Sequence, residues 1–323
     1  MRILVTGGLG YIGSHIIVDL IKQGHTVYSI DNVSRSIPDA ISTIQKITNV
    51  VVKNYCQDLA TADILNCDID LAELQNVDCI IHCAGYKSVN ESIEKPDLYY
   101  HNNIDSTLNV IKIMKRCNIK NLIFSSSCTV YTPHHGVVTE ESKIGNCTNP
   151  YGWSKYMQEQ MLRDLAKANL DYSIVSMRYF NPIGSFTYLA DKSKTNLLPN
   201  IVDAMNGKIE KLKVYGHDYI TRDGTCVRDY IHVEDLARAH VGVIDYVMNH
   251  KGYEVFNVGT GHGFTVLDVI TKFEEVNQVK INWEYAERRP GDQAIAYSNS
   301  QKLRHAINWR PKYNLADMVN LQL

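Results

Sequence analysis

Arg2-Ile3-Leu4-Val5-Thr6-Gly7-Gly8-Leu9-Gly10-Tyr11-Ile12-Gly13 decides how this chain is read. The apolar run at 2–6 predicts a short strand, and helical spacing of apolar residues follows from Tyr11 to Gln23. The glycines between them fit Gly-x-Gly-x-x-Gly from Gly8 and Gly-x-x-Gly-x-x-Gly from Gly7. Without side chains the backbone can turn sharply and approach a pyrophosphate. The helix that starts there offers that anion its unpaired N–H groups and its positive dipole end. Glycines alone are weak evidence, since turns are full of them. Here a strand precedes and a helix follows, as a dinucleotide site requires.

The next β-like run, Thr26 to Ile30, ends at Asp31. A carboxylate there accepts hydrogen bonds from adenosine ribose hydroxyls and repels a 2′-phosphate, which favours NAD over NADP. The plainer reading is a loop cap, and Arg35 nearby keeps a 2′-phosphate open. Asp58 suits an adenine edge or plain solvation. Further β-like runs stand at Val50–Val52, Val77–His82, Leu122–Ser125 and Tyr172–Met177, with helical stretches at Leu98–Cys117 and Gly152–Lys167. This alternation predicts a Rossmann-type, doubly wound parallel α/β sheet. After Arg178, Gly, Pro and Asn become frequent. We therefore expect a dinucleotide-binding domain over 1–180 and a smaller α/β substrate domain over 181–323, with Arg228–His250 packing back on the first.

Bulk properties fit this picture. The chain has 323 residues, 45% hydrophobic and 21% charged, enough for a sizeable core. A net charge of −2 gives no general attraction for nucleic acid or an anionic membrane. No apolar stretch is long enough to span a bilayer, and glycines interrupt the N-terminal apolar run where a signal peptide would continue. Eight cysteines without a Cys-x-x-Cys pair argue against a disulfide framework or a metal site. They point to reduced thiols in a cytoplasmic protein.

Tyr151-Gly152-Trp153-Ser154-Lys155 places a phenol and an ammonium one helical turn apart. A nearby cation lowers a tyrosine pKa, so Tyr151 is expected to act as a base. The spacing is cheap in a chain with 20 tyrosines, and Tyr188 to Lys192 repeats it. Context favours Tyr151. It follows the helix start Asn149-Pro150, and Ser125-Ser126-Ser127 ends a strand upstream, where substrate groups belong. Ser127 can then hydrogen-bond the hydroxyl that Tyr151 deprotonates.

These motifs together resemble the extended short-chain dehydrogenase/reductase family, and within it the enzymes that epimerise UDP-sugars at C4. The likeness runs from Met1 to about Asp317. It includes Asp31-Asn32, Tyr99 to Asn103, Phe124 to Tyr131, Arg178 to Gly184, Gly224 to Val233 and Arg288 to Asp292. The resemblance implies Ser127, Tyr151 and Lys155 as catalytic residues. It implies Gly7, Gly10, Tyr11, Ile12, Gly13, Asp31, Asn32, Asp58, Lys87, Asn102 and Tyr179, with Tyr151 and Lys155, on the NAD side. Ser127 and Tyr151 are implied to touch the UDP-sugar too, together with Asn181, Asn196, Leu197, Tyr215, Arg228, Arg289 and Asp292. It also implies a homodimer paired through the helices at 98–117 and 152–167, although Leu108, Ile111, Met161 and Leu165 also read as core.

By the same resemblance, Ala296 occupies the position beside the sugar C2 substituent. A small residue there implies that N-acetylated sugars are accepted, unless Tyr297 fills the gap. The chain departs from the family at Tyr86, Cys128 and Thr132. Two rival readings stay open: another nucleotide-sugar epimerase or dehydratase, and a non-catalytic NAD sensor. In the dehydratases an Asp-Glu pair follows the strand-end hydroxyl; here Cys128-Thr129 stands in its place.

Overall fold

The computed structural model describes residues 1–64, 66–133, 136–185, 189–191, 193, 195–289 and 292–321. In chain order the first part holds β1 (Arg2–Thr6), α1 (Tyr11–Lys22), β2 (Thr26–Ile30), α2 (Ala40–Thr48), β3 (Lys53–Tyr55), α3 (Leu71–Leu74) and β4 (Cys79–His82). It continues with α4 (Val89–Glu94), α5 (Pro96–Arg116), β5 (Asn121–Ser127), a 3₁₀ turn (Cys128–Val130), β6 (Gly136–Val138), α6 (Pro150–Ala168) and β7 (Ser173–Tyr179). Then come β8 (Asn181–Ile183), α7 (Leu197–Met205), β9 (Leu212–Tyr215), β10 (Val227–His232), α8 (Val233–Asn249), β11 (Gly252–Val258) and β12 (Gly263–Thr265). The chain ends with α9 (Val266–Asn277), β13 (Trp283–Ala286), β14 (Ile295–Ser298), α10 (Gln301–Ile307) and α11 (Leu315–Val319).

Seven parallel strands form the main sheet in the order β11-β7-β5-β4-β1-β2-β3. From β1 the chain winds outward through β2 and β3, then reverses through β4. The crevice between β1 and β4 is therefore the topological switch point, where ligands of such sheets bind. One face is filled by Ile16, Ile17 and Leu20 of α1 with Leu236, Val243 and Val247 of α8. The other is filled by Val110, Ile113 and Met114 of α5 with Leu162 and Ala166 of α6. The segment after Asn181 thus returns to this sheet, through α8 and through β11. The remaining strands make the sheet β12-β10-β14-β6, with β8 beside β10, and the pair β13-β9, over a separate apolar cluster around Val214, Val269 and Phe273.

The run Val50–Val52 is not a strand. Asn49 ends α2 in a left-handed conformation (φ 59°), and Val50 and Val51 are exposed. Pairing starts only where Lys53 comes level with Tyr28. Tyr188 and Lys192 lie outside the described residues.

Candidate active site

The glycine loop is built for close approach. Gly7 has φ +66°, and a side-chain carbon on Gly13 would sit 2.2 Å from the Gly7 carbonyl oxygen. Gly10 begins α1 with no side-chain cap and no acid in the first turn, so the first amides stay available to an anion. The cleft at the switch point has a volume of about 120 Å³ and is lined by Gly7, Gly10, Asp31, Asn32, Asp58 and Asn102, among others. It brings together six of the residues expected on the dinucleotide side.

Asp31 is also a structural acid. Its Oδ2 accepts from Leu9 N at 3.0 Å, and its Oδ1 accepts from Val33 N at 2.8 Å and Ser36 Oγ at 2.6 Å. Asn32 donates to Asp58 at 2.9 Å. Arg35 is not free for a 2′-phosphate: Glu91 holds its guanidinium in a two-pronged ion pair. Tyr11 donates to the Gly184 carbonyl at 2.6 Å, while Ile12 packs on the core. Lys87 pairs with Asp191 at 3.2 Å. The Tyr179 hydroxyl is engaged inside the protein by Ser125 Oγ at 2.6 Å and by His240.

The catalytic candidates meet at the carboxyl end of β5. Asn149 caps α6 by accepting from Gly152 N at 2.9 Å, and Pro150 occupies the first turn. Gly152 lets the helix touch the 3₁₀ turn: a side-chain carbon there would lie 2.9 Å from the Thr129 carbonyl oxygen. This contact brings the first turn of α6, with Tyr151, against the turn that follows Ser127.

The expected lowering of Tyr151 by Lys155 is not what the structure shows. Burial pushes the Tyr151 phenol up to about 12, with Ser127 pulling the other way and Cys128 adding to the rise. The Lys155 ammonium is turned to the Ser125 carbonyl at 2.9 Å and lies 4.7 Å from the Phe124 ring centroid. Its own burial lowers it to about 8.

On the other side, Arg228 and Arg289 converge on one acid. Asp292 accepts from Arg289 Nε at 2.8 Å and from Arg228 Nη2 at 3.4 Å, and the Arg289 guanidinium lies 4.9 Å from the Tyr215 ring centroid. Ala296 is the register partner of Arg228 across β10 and β14. Tyr297 faces away, because its ring lies against Gly263 of β12. Asn181 opens β8, and Leu197 packs on the second apolar cluster. Asn196 joins a different set: its Nδ2 donates to Asp191 at 2.5 Å, the acid that also pairs Lys87.

Several residues that support the site were given no role by the sequence. Glu159 and Arg178 form a buried pair, and Glu159 also accepts from Ser126 at 2.5 Å. Asn103 accepts from Tyr86 N at 2.7 Å and donates to Ser154 of α6 at 2.9 Å. Asp229, fully buried, accepts from Thr260, Gly261 and Ser298 and so fixes β14. A charge inside a strand-like run was the available signal for Arg178 and Asp229. The eight cysteines are free, and no group of metal-ligating side chains occurs among the described residues. No helix among them is long and apolar enough to cross a membrane.

Known proteins resemble this chain over nearly its whole length. A UDP-glucose 4-epimerase of Pasteurella multocida is 43% identical over 99% of this chain and 95% of its own. A UDP-glucose 4-epimerase of Bifidobacterium longum, solved in complex with NAD+ and UDP, is 42% identical, covers 99% of this chain and 96% of its own, and superposes with a TM-score of 0.90. The UDP-Glc/GlcNAc 4-epimerase of Campylobacter jejuni is 36% identical over 98% of this chain and 97% of its own, with a TM-score of 0.83. Residues 3–259 match the NAD dependent epimerase/dehydratase family, and the chain belongs to that family.

Proposed function

We propose that this chain interconverts UDP-glucose and UDP-galactose at C4 through a 4-keto sugar, with NAD retained throughout. The observation that carries this reading is that Ser127, at the end of β5, and Tyr151, in the first turn of α6, are brought together by the close approach of Gly152 to Thr129, in a chain whose Arg228 and Arg289 share one carboxylate. Bound NAD supplies a reversible hydride acceptor and, when oxidised, a positive charge. An added cation lowers a neighbouring phenol, which brings the buried Tyr151 toward its work as base. Tyr151 takes the proton of the sugar 4-hydroxyl, and Ser127 hydrogen-bonds in the same place. Arg228 and Arg289 present planar donor forks suited to the diphosphate, so UDP stays anchored while the keto sugar turns.

In this reading residues 1–180, joined by α8 and β11, hold NAD, and the rest of 181–323 holds the UDP-sugar. Ala296 supports acceptance of the N-acetylated UDP-sugars as well. Leu108 on α5 and Met157 on α6 are 43% and 41% exposed, which supports a homodimer through these helices. Free cysteines support a cytoplasmic setting. A dehydratase has no support at Cys128-Thr129, and a mere NAD sensor has no use for Ser127 and Tyr151 together. The test is conversion of UDP-galactose to UDP-glucose by purified protein without added NAD. Conversion is expected; its absence, with NAD bound, would overturn the reading.

A further inference from the structure

The carboxylate of Asp229, on β10, is fully buried and gathers donors from two other segments. Its Oδ1 accepts from Thr260 N at 2.8 Å and from Thr260 Oγ1 at 2.7 Å. Its Oδ2 accepts from Gly261 N at 3.0 Å, Ser298 N at 3.1 Å and Ser298 Oγ at 2.6 Å. A carboxylate offers about four lone-pair sites, so this one is saturated. Gly259 makes room for it: a side-chain carbon there would lie 2.4 Å from Asp229 Oδ2 and 2.4 Å from Ser298 Oγ. The backbone register between β10 and β14 covers only Val227 with Ile295 and Arg228 with Ala296. Just past it, Asp229 takes the place of a ladder carbonyl and accepts the Ser298 amide. Just before it, Val227 N donates to the Ala294 carbonyl at 2.8 Å, and Arg228 Nη1 donates to the Gln293 carbonyl at 2.7 Å. The stretch 293–298 is therefore tied to β10 at both ends, and one of those ends aims the Arg228 guanidinium.

We infer that Asp229 is a positioning residue for substrate affinity: through Ser298 it fixes β14, and through β14 it sets the aim of Arg228. This rests on the proposed reading, in which Arg228 meets the diphosphate of a UDP-sugar. Hydrogen bonds to an ionised acceptor are roughly twice as strong as neutral ones, so the anchor at Ser298 is a firm one. Thr260 and Gly261 grip the same carboxylate from the loop after β11 and do not belong to β14. Ser127 and Tyr151 stand elsewhere, on β5 and α6. Asp229 should therefore act on the grip of UDP and leave the chemical step alone.

The test compares two deletions on this one carboxylate, made in the full chain with its dinucleotide. Ser298→Ala removes a hydroxyl bond that comes from β14, and Thr260→Val removes one that comes from the loop. Both should lower the thermal midpoint. Only Ser298→Ala should weaken UDP, by about three- to tenfold in calorimetric Kd, the scale of one hydrogen bond. KM for UDP-galactose should rise with it, while kcat and NAD content stay at the wild-type level. Asp229→Asn must turn an NH2 group toward N–H donors, so it should shift Kd further in the same direction. A merely structural carboxylate would make the two deletions act alike. Equal changes in Kd from Ser298→Ala and Thr260→Val, or no change from Ser298→Ala, would overturn the inference, even where Asp229→Asn fails to fold. A wild type that binds UDP but does not convert UDP-galactose would sink the proposed reaction instead, and the Kd comparison would still decide the role of Asp229.

Discussion

The Arg178 guanidinium meets the Glu159 carboxylate through two hydrogen bonds, Nε to Oε1 at 2.9 Å and Nη2 to Oε2 at 2.6 Å, with neither side chain more than 2% exposed. The pair ties β7 to α6 beneath the strand end that carries Ser127. Removing one partner leaves the other charge buried and unpaired, which costs about 3–5 kcal/mol. Glu159→Ala should lower the urea midpoint accordingly, and an unchanged midpoint would show that the charge finds another partner.

Tyr151→Phe keeps the ring and its edge contact with Tyr99 but removes the proposed proton acceptor. A loss of about 10²–10⁴-fold in kcat is expected, with NAD content preserved. Tyr188→Phe is the control for the repeated spacing and should be nearly silent. Turnover of UDP-galactose by Tyr151→Phe at the wild-type rate would remove Tyr151 from the mechanism.

Asp31→Ala should act twice. It removes the proposed ribose acceptor and the repulsion of a 2′-phosphate, so NAD retention should fall and discrimination against NADP should relax. It also releases Leu9, Val33 and Ser36, so the protein without added dinucleotide should lose stability. Cofactor content after purification and a thermal melt separate the two effects; unchanged values in both would contradict the placement.

On the proposed reading Ala296 sets the breadth of the sugar pocket. With Tyr297 held against Gly263, nothing on β14 replaces the missing ring. The protein should epimerise UDP-N-acetylglucosamine as well as UDP-glucose. Ala296→Tyr should depress kcat/KM for the N-acetylated sugar about tenfold or more relative to the other, since steric room decides the fit. The idea fails if the wild type rejects the N-acetylated sugar or the ratio stays fixed.

Four buried histidines make stability acid-sensitive. Burial holds His15, His232 and His240 down at about 4 and His82 at about 3. Between the ordinary value near 6.5 and these lowered values, the unfolded chain binds protons that the folded chain refuses. Stability is therefore full above pH 6.5 and is lost as pH falls toward 4, on the order of 1–2 kcal/mol per histidine by pH 5. Urea midpoints at pH 7.5 and 5.0 measure the drop, and His82→Asn should shrink it. A midpoint independent of pH would contradict the assignment of neutral imidazoles.

The local parts of this molecule were readable from sequence, and the long-range parts were not. β1, β2 and α1 carry period, glycines and a terminal acid within thirty residues, and the structure follows them closely. Val50–Val52 misled because apolar character does not itself supply a pairing partner. The Tyr151 phenol misled for a different reason. Helical spacing places Lys155 on the right face but does not say that its ammonium turns to Ser125. Glu159 was invisible because a charged residue in a helix reads as solvated until its partner, nineteen residues away on β7, comes into view.

β11 has a consequence for how the chain is made. Its partner β7 ends at Tyr179, but β11 begins only at Gly252. At about 5–20 residues per second, a ribosome leaves β7 as an unpaired sheet edge for several seconds after it emerges. An unpaired edge is a template for another nascent chain. Slowing synthesis between residues 180 and 252 should therefore raise the aggregated fraction, whereas the same delay after residue 258 should not.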